Sequence, residues 1–522
     1  MAKAVAQYPP ATGFNASAVF LLGIVSAIQV ADPLLSSMAL VKASSELNFS
    51  ASTMALAAGI STLALAATAI PGGVLADRYG RRLMLMIAVL VAGAGELITA
   101  ASPDALMYLI GRIVAGAALG VVFGAAYGML RNVAATKSLG PAMATFNILN
   151  GVVPVIALVL GGVVIGLNWR FAYLMLPILM IVSFFLIPVM LPKVARLPKE
   201  GKTDFLGMIL VGLGIVGLLF GLSMASHGLG NPLFWAPIVI AVVAFVLFAI
   251  RENRSSSPVF PIKILTHPAF LGAVIMGIFW NMGSAASSQM LPNMWQYVTH
   301  VKLAELGAAQ MPMAAAGILG SVIAGLALGR GSKPRTTAVI GYALMTVGFV
   351  YYFFLPTPAS YLLFIPGMVV TGLGWMMNAT SQGNLFITLA PEKYFGPVSS
   401  SKMAVGQFGY SLGLTGSTVL VSSLTLSGVE KLTKGAVSGE ANWDAITEYM
   451  ANPTATPANP ALAAVNVVDI EHIYAQAFST TMLVIGIVVA LAGVVMYLVL
   501  RRKNVDVPTD VFLGLAPATQ SD

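Results

Sequence analysis

Three charged residues lie inside long apolar stretches of this sequence: Asp32, Glu96 and Arg112. Charged side chains within a membrane are costly and therefore usually belong to a proton or substrate path. An acid beside a guanidinium can exchange a proton when its surroundings become hydrated. We expect the three residues to form one proton-coupling group, with a fixed structural ion pair as the alternative.

Other chemistries have little support in the sequence. The chain contains no cysteine, which excludes disulfides, thiolate metal sites and cysteine nucleophiles. Its four histidines lie near predicted loops, and the phosphate-binding pattern G-x-x-x-x-G-K-[ST] does not occur. The sequence therefore predicts no catalytic residue, no metal and no cofactor, and it disfavours an ATP-driven pump. A membrane-embedded transferase and a scaffold stay as alternatives from other classes.

Fourteen apolar stretches must position the charged residues. The chain has 522 residues, 58% hydrophobic and 9% charged, against about 25% charged in soluble domains. Runs of about 20 apolar residues are long enough to cross a bilayer as helices. The sequence predicts an all-α polytopic membrane protein with 14 transmembrane helices. Their approximate ranges are 15–41, 51–76, 83–101, 105–130, 141–167, 171–192, 205–225, 233–250, 269–298, 306–328, 337–355, 360–386, 398–425 and 477–500.

The basic residues predict the orientation. With both termini in the cytoplasm, 21 of the 27 Lys and Arg residues face inward, 5 face outward, and Arg112 lies within a span. This is a strong positive-inside pattern. The net charge of +8 is therefore an orientation signal, and we expect no nucleic-acid partner. The hydrophilic stretch 427–476 is predicted to be external, either as a solvated hairpin or as a loop that receives a substrate or partner.

A short turn between the second and third spans reads Gly72-Gly73-Val-Leu-Ala-Asp77-Arg78-Tyr-Gly80-Arg81-Arg82. It resembles the G-x-L-A-D-R-x-G-R-R loop of the major facilitator superfamily. In that family the loop acts as a cytoplasmic latch between two helical halves. The resemblance assigns gating to Gly73, Asp77, Arg78, Gly80, Arg81 and Arg82.

Further motifs resemble the fourteen-helix drug:proton antiporter branch of that superfamily. They are Asp32-Pro33 with Ala39-Leu40, Arg112-Ile-Val-Ala-Gly116, Leu291-Pro-Asn-Met-Trp-Gln296 and Asp204-Phe-Leu-Gly207. The resemblance implies two six-helix bundles with two extra helices between them. The expected divisions are a tail 1–14, a bundle 15–192, a linker with two helices 193–268, a bundle 269–500 and a tail 501–522.

The resemblance implies a proton-coupled efflux antiporter of amphipathic or hydrophobic, drug-like or cationic small molecules in the cytoplasmic membrane of a cell. The fifth span departs from the family's antiport motif, because Ala157-Leu158 replaces Gly-Pro. The direction of transport therefore stays open. Export or flipping of an endogenous lipid, envelope precursor or metabolite is the alternative function.

Polar and aromatic residues in the second half are candidates for substrate binding, with interhelical hydrogen bonding as the alternative role. They are Trp280, Asn281, Gln289, Trp375, Asn378, Gln382, Gln407 and Tyr410. The expected partners are protons, membrane lipids and a small-molecule or lipid substrate, and the protein is expected to be a monomer.

Overall fold

The protein is described here from a computed structural model. The structure describes residues 13–194, 203–225, 231–255, 257–302, 305–355, 360–439, 442–453, 457, 459–502, 505 and 507–515. Within these ranges, 14 helices are long and apolar enough to cross a membrane, and there is no β-strand. The predicted fold class is therefore confirmed.

Six of these helices precede the linker. They are α1 (Ala16–Glu46), α2 (Ala51–Tyr79), α3 (Arg81–Ala100), α4 (Ala105–Val133), α5 (Leu139–Leu167) and α6 (Arg170–Met190). Side-chain caps start several of them, as Asn15 does for α1, Ser50 for α2 and Asp104 for α4. Each cap supplies an oxygen to a backbone N–H that has no partner within the helix.

Eight more helices follow. They are α7 (Phe205–Met224), α8 (Pro232–Arg254), α9 (Pro268–Tyr297), α10 (Met311–Gly329), α11 (Pro334–Phe354), α12 (Ile365–Thr388), α13 (Phe395–Leu432) and α14 (Val467–Val499). The last two extend into the stretch predicted as the loop 427–476. The connection is therefore shorter, and it includes the helices Trp443–Ala451 and Pro460–Ala463.

Helices α1–α6 pack mainly on one another, with α4 between α2 and α3, and α1 beside α5. Helices α9–α14 form a second group, in which α12 packs between α10 and α11. We call these groups the N-half and the C-half. Helix α7 pairs with α8 and also packs on α2 and α13. Its Leu222 carbonyl accepts a hydrogen bond from Thr415 Oγ1 of α13 at 3.1 Å, and Gly212 lies against Ala67 of α2.

The two halves meet near the turn between α2 and α3, where Gly80 has a φ of +102°. We call this end of the helices the Gly80 end. Tyr127 Oη of α4 donates to the carbonyl of Gly383 in α12 at 2.9 Å. Asn147 Nδ2 of α5 donates to Thr380 Oγ1 of α12 at 3.1 Å. Backbone also approaches backbone where Gly140 of α5 lies beside α10. The described contacts therefore hold the Gly80 end closed.

A segment after α14 returns to this end and forms the short helix Thr509–Phe512. Thr509 Oγ1 donates to the carbonyl of Leu389 at 2.8 Å. The buried His267, just before α9, donates from Nε2 to the carbonyl of Val507 at 2.9 Å, and the ring of Phe512 lies edge-on 4.8 Å from it. The C-terminal segment is therefore docked on both the linker and the C-half.

Candidate functional site

The three predicted intramembrane charges come together in one buried cluster. Arg112 forms two hydrogen bonds to Asp32, from Nη1 to Oδ1 at 2.6 Å and from Nη2 to Oδ2 at 2.7 Å. Nη1 also donates to Glu96 Oε1 at 3.2 Å. The side chains are 1%, 1% and 0% exposed for Arg112, Asp32 and Glu96. Two carboxyl groups therefore share one guanidinium, and one proton makes the cluster electrically neutral.

Small residues allow the helices to bring this cluster together. A Cβ at Gly116 of α4 would collide with the backbone of Ser61 in α2. A Cβ at Gly95 of α3 would lie 2.8 Å from the Cα of Ala115 in α4. Backbones approach this closely only where the side chain is missing or very small. Gly116 therefore allows α2 to meet α4, and Gly95 brings Glu96 within reach of Arg112.

Hydroxyl groups surround the cluster. Ser61 Oγ donates to Asp32 Oδ2 at 2.8 Å. The hydroxyls of Tyr108 and Tyr173 lie 2.5 Å apart, and Tyr173 also pairs with Ser36 at 3.1 Å. The guanidinium of Arg112 lies 5.4 Å from the ring centre of Tyr173. Ser61 thus helps to orient Asp32, while the hydroxyl chain of Ser36, Tyr173 and Tyr108 contacts the cluster through the ring of Tyr173.

At the Gly80 end, Asp77 links the two halves. Its Oδ2 accepts a hydrogen bond from the backbone N–H of Gly396 at 2.6 Å. Its Oδ1 accepts from Arg81 Nη2 at 2.8 Å. Gly73 and Gly396 lie so close that a Cβ on Gly73 would be 2.5 Å from the carbonyl carbon of Gly396. Asp77, Gly73 and Arg81 thus occupy the contact between α2, α3 and α13.

The remaining residues of the loop motif have different surroundings. Arg81 also donates to the carbonyl of Gly128 at 2.7 Å, and its guanidinium lies 4.5 Å from the ring of Phe395 in the C-half. Arg82 donates to the carbonyl of Pro188 at 2.6 Å, within the N-half. Arg78 is half-buried at the same turn. The structure therefore places Arg81 between the halves and attaches Arg82 to α6.

Four of the predicted substrate-binding residues lie near one another. Trp280 of α9 donates from Nε1 to Gln382 Oε1 of α12 at 2.9 Å. Asn281 is half-buried and lies beside Gly406 of α13. Gln407 is half-buried on the same helix. These positions place amide and indole groups where α9, α12 and α13 meet.

The other four lie elsewhere. Asn378 is fully buried and donates to the carbonyl of Gly374 at 3.1 Å, which is a hydrogen bond within α12. Trp375 lies against Gly317 of α10. Gln289 and Tyr410 are exposed on the surfaces of α9 and α13. In this conformation the structure thus separates these four from the Trp280–Gln382 contact.

Lys402 and Tyr127 are polar residues that the sequence did not single out. Lys402 lies in the second turn of α13, with Nζ 5.4 Å from the ring centre of Tyr127 in α4. Lys402 is one of the 21 basic residues assigned to the cytoplasmic side, and it lies within the range 398–425 predicted for the thirteenth span. The signal that places it inside a helix is the long apolar run that surrounds it. Across the described ranges, no group of three His, Asp or Glu residues is close enough to hold a metal ion.

Twelve spans in two halves and a further pair beside them, with a buried charge cluster in the N-half and a buried contact at Asp77 between the halves, form an arrangement suited to a membrane transporter. The sequence profile described as Major Facilitator Superfamily matches residues 16–414. The chain therefore belongs to the major facilitator superfamily, as its loop motif predicted.

Relatives extend the comparison. A multidrug resistance protein B homolog of Mycobacterium tuberculosis (strain CDC 1551 / Oshkosh) is 26% identical over 429 residues, covering 80% of this chain and 78% of the relative. The quinolone resistance protein NorB of Staphylococcus aureus (strain MRSA252) is 25% identical over 386 residues, covering 72% and 82%. The solved structure of the proton:xylose symporter XylE superposes with a TM-score of 0.55 at 12% identity, covering 92% of this chain and 95% of that one. That last likeness concerns the fold alone.

Proposed function

We propose that this protein is a proton-coupled antiporter that exports amphipathic or hydrophobic small molecules across the cytoplasmic membrane. The observation that carries the proposal is the cluster of Asp32, Glu96 and Arg112, which is enclosed within the N-half. Ion pairs buried in hydrocarbon contribute little net stability. A cluster with one carboxyl in excess is suited instead to taking up and releasing one proton. The relatives named for drug resistance support export as the direction.

The cluster lies far from the latch. Ser61, which hydrogen-bonds to Asp32, is 18 residues before the end of α2 at Tyr79, or about 27 Å along the helix. The two sites therefore act at different depths. Protonation at the cluster and closure at Asp77 are coupled through the rigid helices α2, α3 and α4, which contribute residues to both sites.

The orientation is part of the proposal. We infer that the Gly80 end and both termini face the cytoplasm, because 21 of the 27 Lys and Arg residues then face inward. Cysteines placed singly at Gly80 and Ser438 in this cysteine-free chain test it with an impermeant thiol reagent on intact cells. Labelling at Ser438 but not at Gly80 is expected, and the reverse pattern would refute the orientation.

The coupling experiment compares uphill transport with exchange in vesicles that hold an imposed pH gradient. Asp32→Asn mimics a permanently protonated carboxyl, so it should abolish uphill transport and leave substrate-driven exchange measurable. Glu96→Gln should reduce uphill transport less, because Glu96 makes the longer contact with Arg112. If Asp32→Asn accumulated substrate as the unmodified protein does, Asp32 would not couple protons.

Arg112→Ala is the complementary variant. It leaves two buried carboxyl groups without their cation, a loss that costs about 3–5 kcal/mol for a buried pair. We therefore expect it to damage exchange as well as uphill transport.

Transport or flipping of an endogenous lipid or envelope precursor is the alternative function, and a radiolabelled lipid exchanged by the Asp32→Asn protein would favour it.

A further inference from the structure

Lys402 is a cationic residue inside a spanning helix of the C-half. It lies seven residues after the start of α13 at Phe395, or about 10 Å from the Gly80 end. Its side chain is half-buried between Tyr127 of the N-half and Gly383 of the C-half. A lysine at such a depth usually faces a cavity or a partner of opposite charge.

The structure provides Lys402 with an aromatic neighbour and no counter-charge. Its ammonium lies 5.4 Å from the ring centre of Tyr127, a cation–π contact of modest strength. Among the described residues, no carboxylate lies within ion-pair distance of Nζ, and Nζ donates no hydrogen bond to the protein. The positive charge is therefore not neutralised by the protein where the two halves meet.

The next turns of α13 lead from Lys402 to the polar contact of the C-half. Gly406, one turn further, lies beside Asn281 of α9. Val405 and Gln382 both pack at Gly277 of α9, and Gln382 binds the indole of Trp280. The half-buried Lys402 and Asn281, the fully buried Gln382 and the indole of Trp280 thus form one row of polar groups, the Lys402 surface, with the ammonium nearest the Gly80 end. Such a surface suits a molecule with a charged head and an apolar body.

The two carboxyl groups of the buried cluster do not offer a site for a cationic head. Asp32 and Glu96 would attract a cationic substrate if they faced the space between the halves. They are instead 1% and 0% exposed, and both are bonded to Arg112. Asp77 and Arg81 at the Gly80 end pair with each other, whereas the ammonium of Lys402 is a charge between the halves that no described carboxylate neutralises.

We propose that Lys402 binds the acidic group of the transported molecule, so that the substrates are amphipathic anions with a carboxylate or phosphate head. This inference rests on the proposed transport function and names its substrate class. Lys402 also adjoins the Tyr127–Gly383 hydrogen bond that joins the halves. An anion that draws the ammonium away from the Tyr127 ring weakens the contact at the closed end, so binding and opening are linked.

The test uses the purified full chain in lipid nanodiscs and three fluorescent probes that share one apolar body: pyrenebutyrate, pyrenebutyramide and pyrenebutylamine. We expect the unmodified protein to bind the carboxylate about tenfold or more tightly than the neutral amide, and the amine most weakly. Lys402→Gln should remove the preference for the carboxylate, while Lys402→Arg should keep it. Lys393→Gln is the matched control, because Lys393 also lies 5.4 Å from a tyrosine ring but is exposed outside this surface.

Several results would overturn the inference. These are a preference for the amine, equal binding or no binding of all three probes, an equal change for all three in Lys402→Gln, or loss of the preference in Lys393→Gln. An equal change would mean that Lys402 only stabilises the closed end. The binding measurement uses no proton gradient, so its failure is distinct from a failure of the Asp32→Asn transport experiment.

Discussion

Removing the charge of Asp77 should open the Gly80 end. The carboxylate accepts the N–H of Gly396 at 2.6 Å across the halves and is fully buried. Hydrogen bonds to charged groups contribute about 1.5–3 kcal/mol, against about 1 kcal/mol for neutral pairs. Asp77→Asn keeps an amide oxygen as an acceptor, so about 1–2 kcal/mol of the closed state is lost. The ratio of closed to open forms should then fall by a factor of about 5–30.

A cysteine at Ser400 can measure this change. Ser400 is fully buried, and its hydroxyl lies beside Gly73 at the contact between the halves. The chain has no cysteine of its own, so N-ethylmaleimide would react only at the introduced thiol. The rate of reaction follows the fraction of time for which the end is open. We expect Asp77→Asn to raise the rate about 5–30-fold, to keep substrate binding and to slow alternation.

Arg82→Gln is the control for this experiment. Arg82 belongs to the same turn, but its hydrogen bonds go to the carbonyls of Pro188 and Leu191 in the N-half. The rate of the maleimide reaction at position 400 should stay within about twofold of the parent when Arg82→Gln is introduced, since no hydrogen bond across the halves is lost. Asp77→Asn also weakens the ion pair between Asp77 and Arg81. Thermal unfolding of the variant shows whether this local change lowers the stability of the whole protein, which distinguishes it from opening of the Gly80 end. Equal maleimide rates in Asp77→Asn and its parent would refute the latch, as would a collapse of substrate affinity with normal turnover of the bound substrate.

Two further predictions follow from the Gly80 end. Gly73→Ala should hold the halves apart, since its Cβ would lie 2.5 Å from the Gly396 carbonyl carbon; a faster maleimide reaction at Ser400 checks this, and an unchanged rate would count against the close contact. Burial lowers the pKa of His267 below its usual 6.5, against the opposing effect of its bond to Val507, so His267 takes up a proton more readily when the C-terminal segment is undocked than when it is docked. Docking of the C-terminal segment is therefore strongest above about pH 6.5 and weakens as the pH falls. A nitroxide at Leu515 should become more mobile as the pH is lowered from about 8 to 5.5. The same pH profile in His267→Gln would show that His267 is not the cause.

The helices and the charge cluster were predictable because their physical signals are local. A run of apolar residues has one stable form in hydrocarbon, and a charge within it must find a partner. The sequence therefore predicts that Asp32, Glu96 and Arg112 form one group, and the three side chains do meet. The small residues that allow their contact, Gly95 and Gly116, are visible in the sequence, but which backbones they meet is not.

The partners across the halves were not predictable from one sequence. Asp77 and Gly396 are 319 residues apart, and nothing in the local pattern of either indicates the other. The sequence also does not show what an amide side chain will bind. Gln382 and Asn378 lie one turn apart on α12, and their hydrogen-bond partners differ completely. Lys402 lies near one end of its predicted span, and one sequence does not distinguish a lysine there that faces water from one that faces a neighbouring half.

Helix α7 makes the two flanks of the contact between the halves unequal. It is attached to α2 through Gly212 and to α13 through the Leu222 carbonyl, so one flank of the contact between the halves carries a tether. On the other flank, α5 meets α10 and α12 directly. A rocking motion of the two halves that keeps these α7 contacts intact has its rotation axis along the α7 flank. Distances measured by paired probes should therefore change more across α5 and α10 than across α2 and α13.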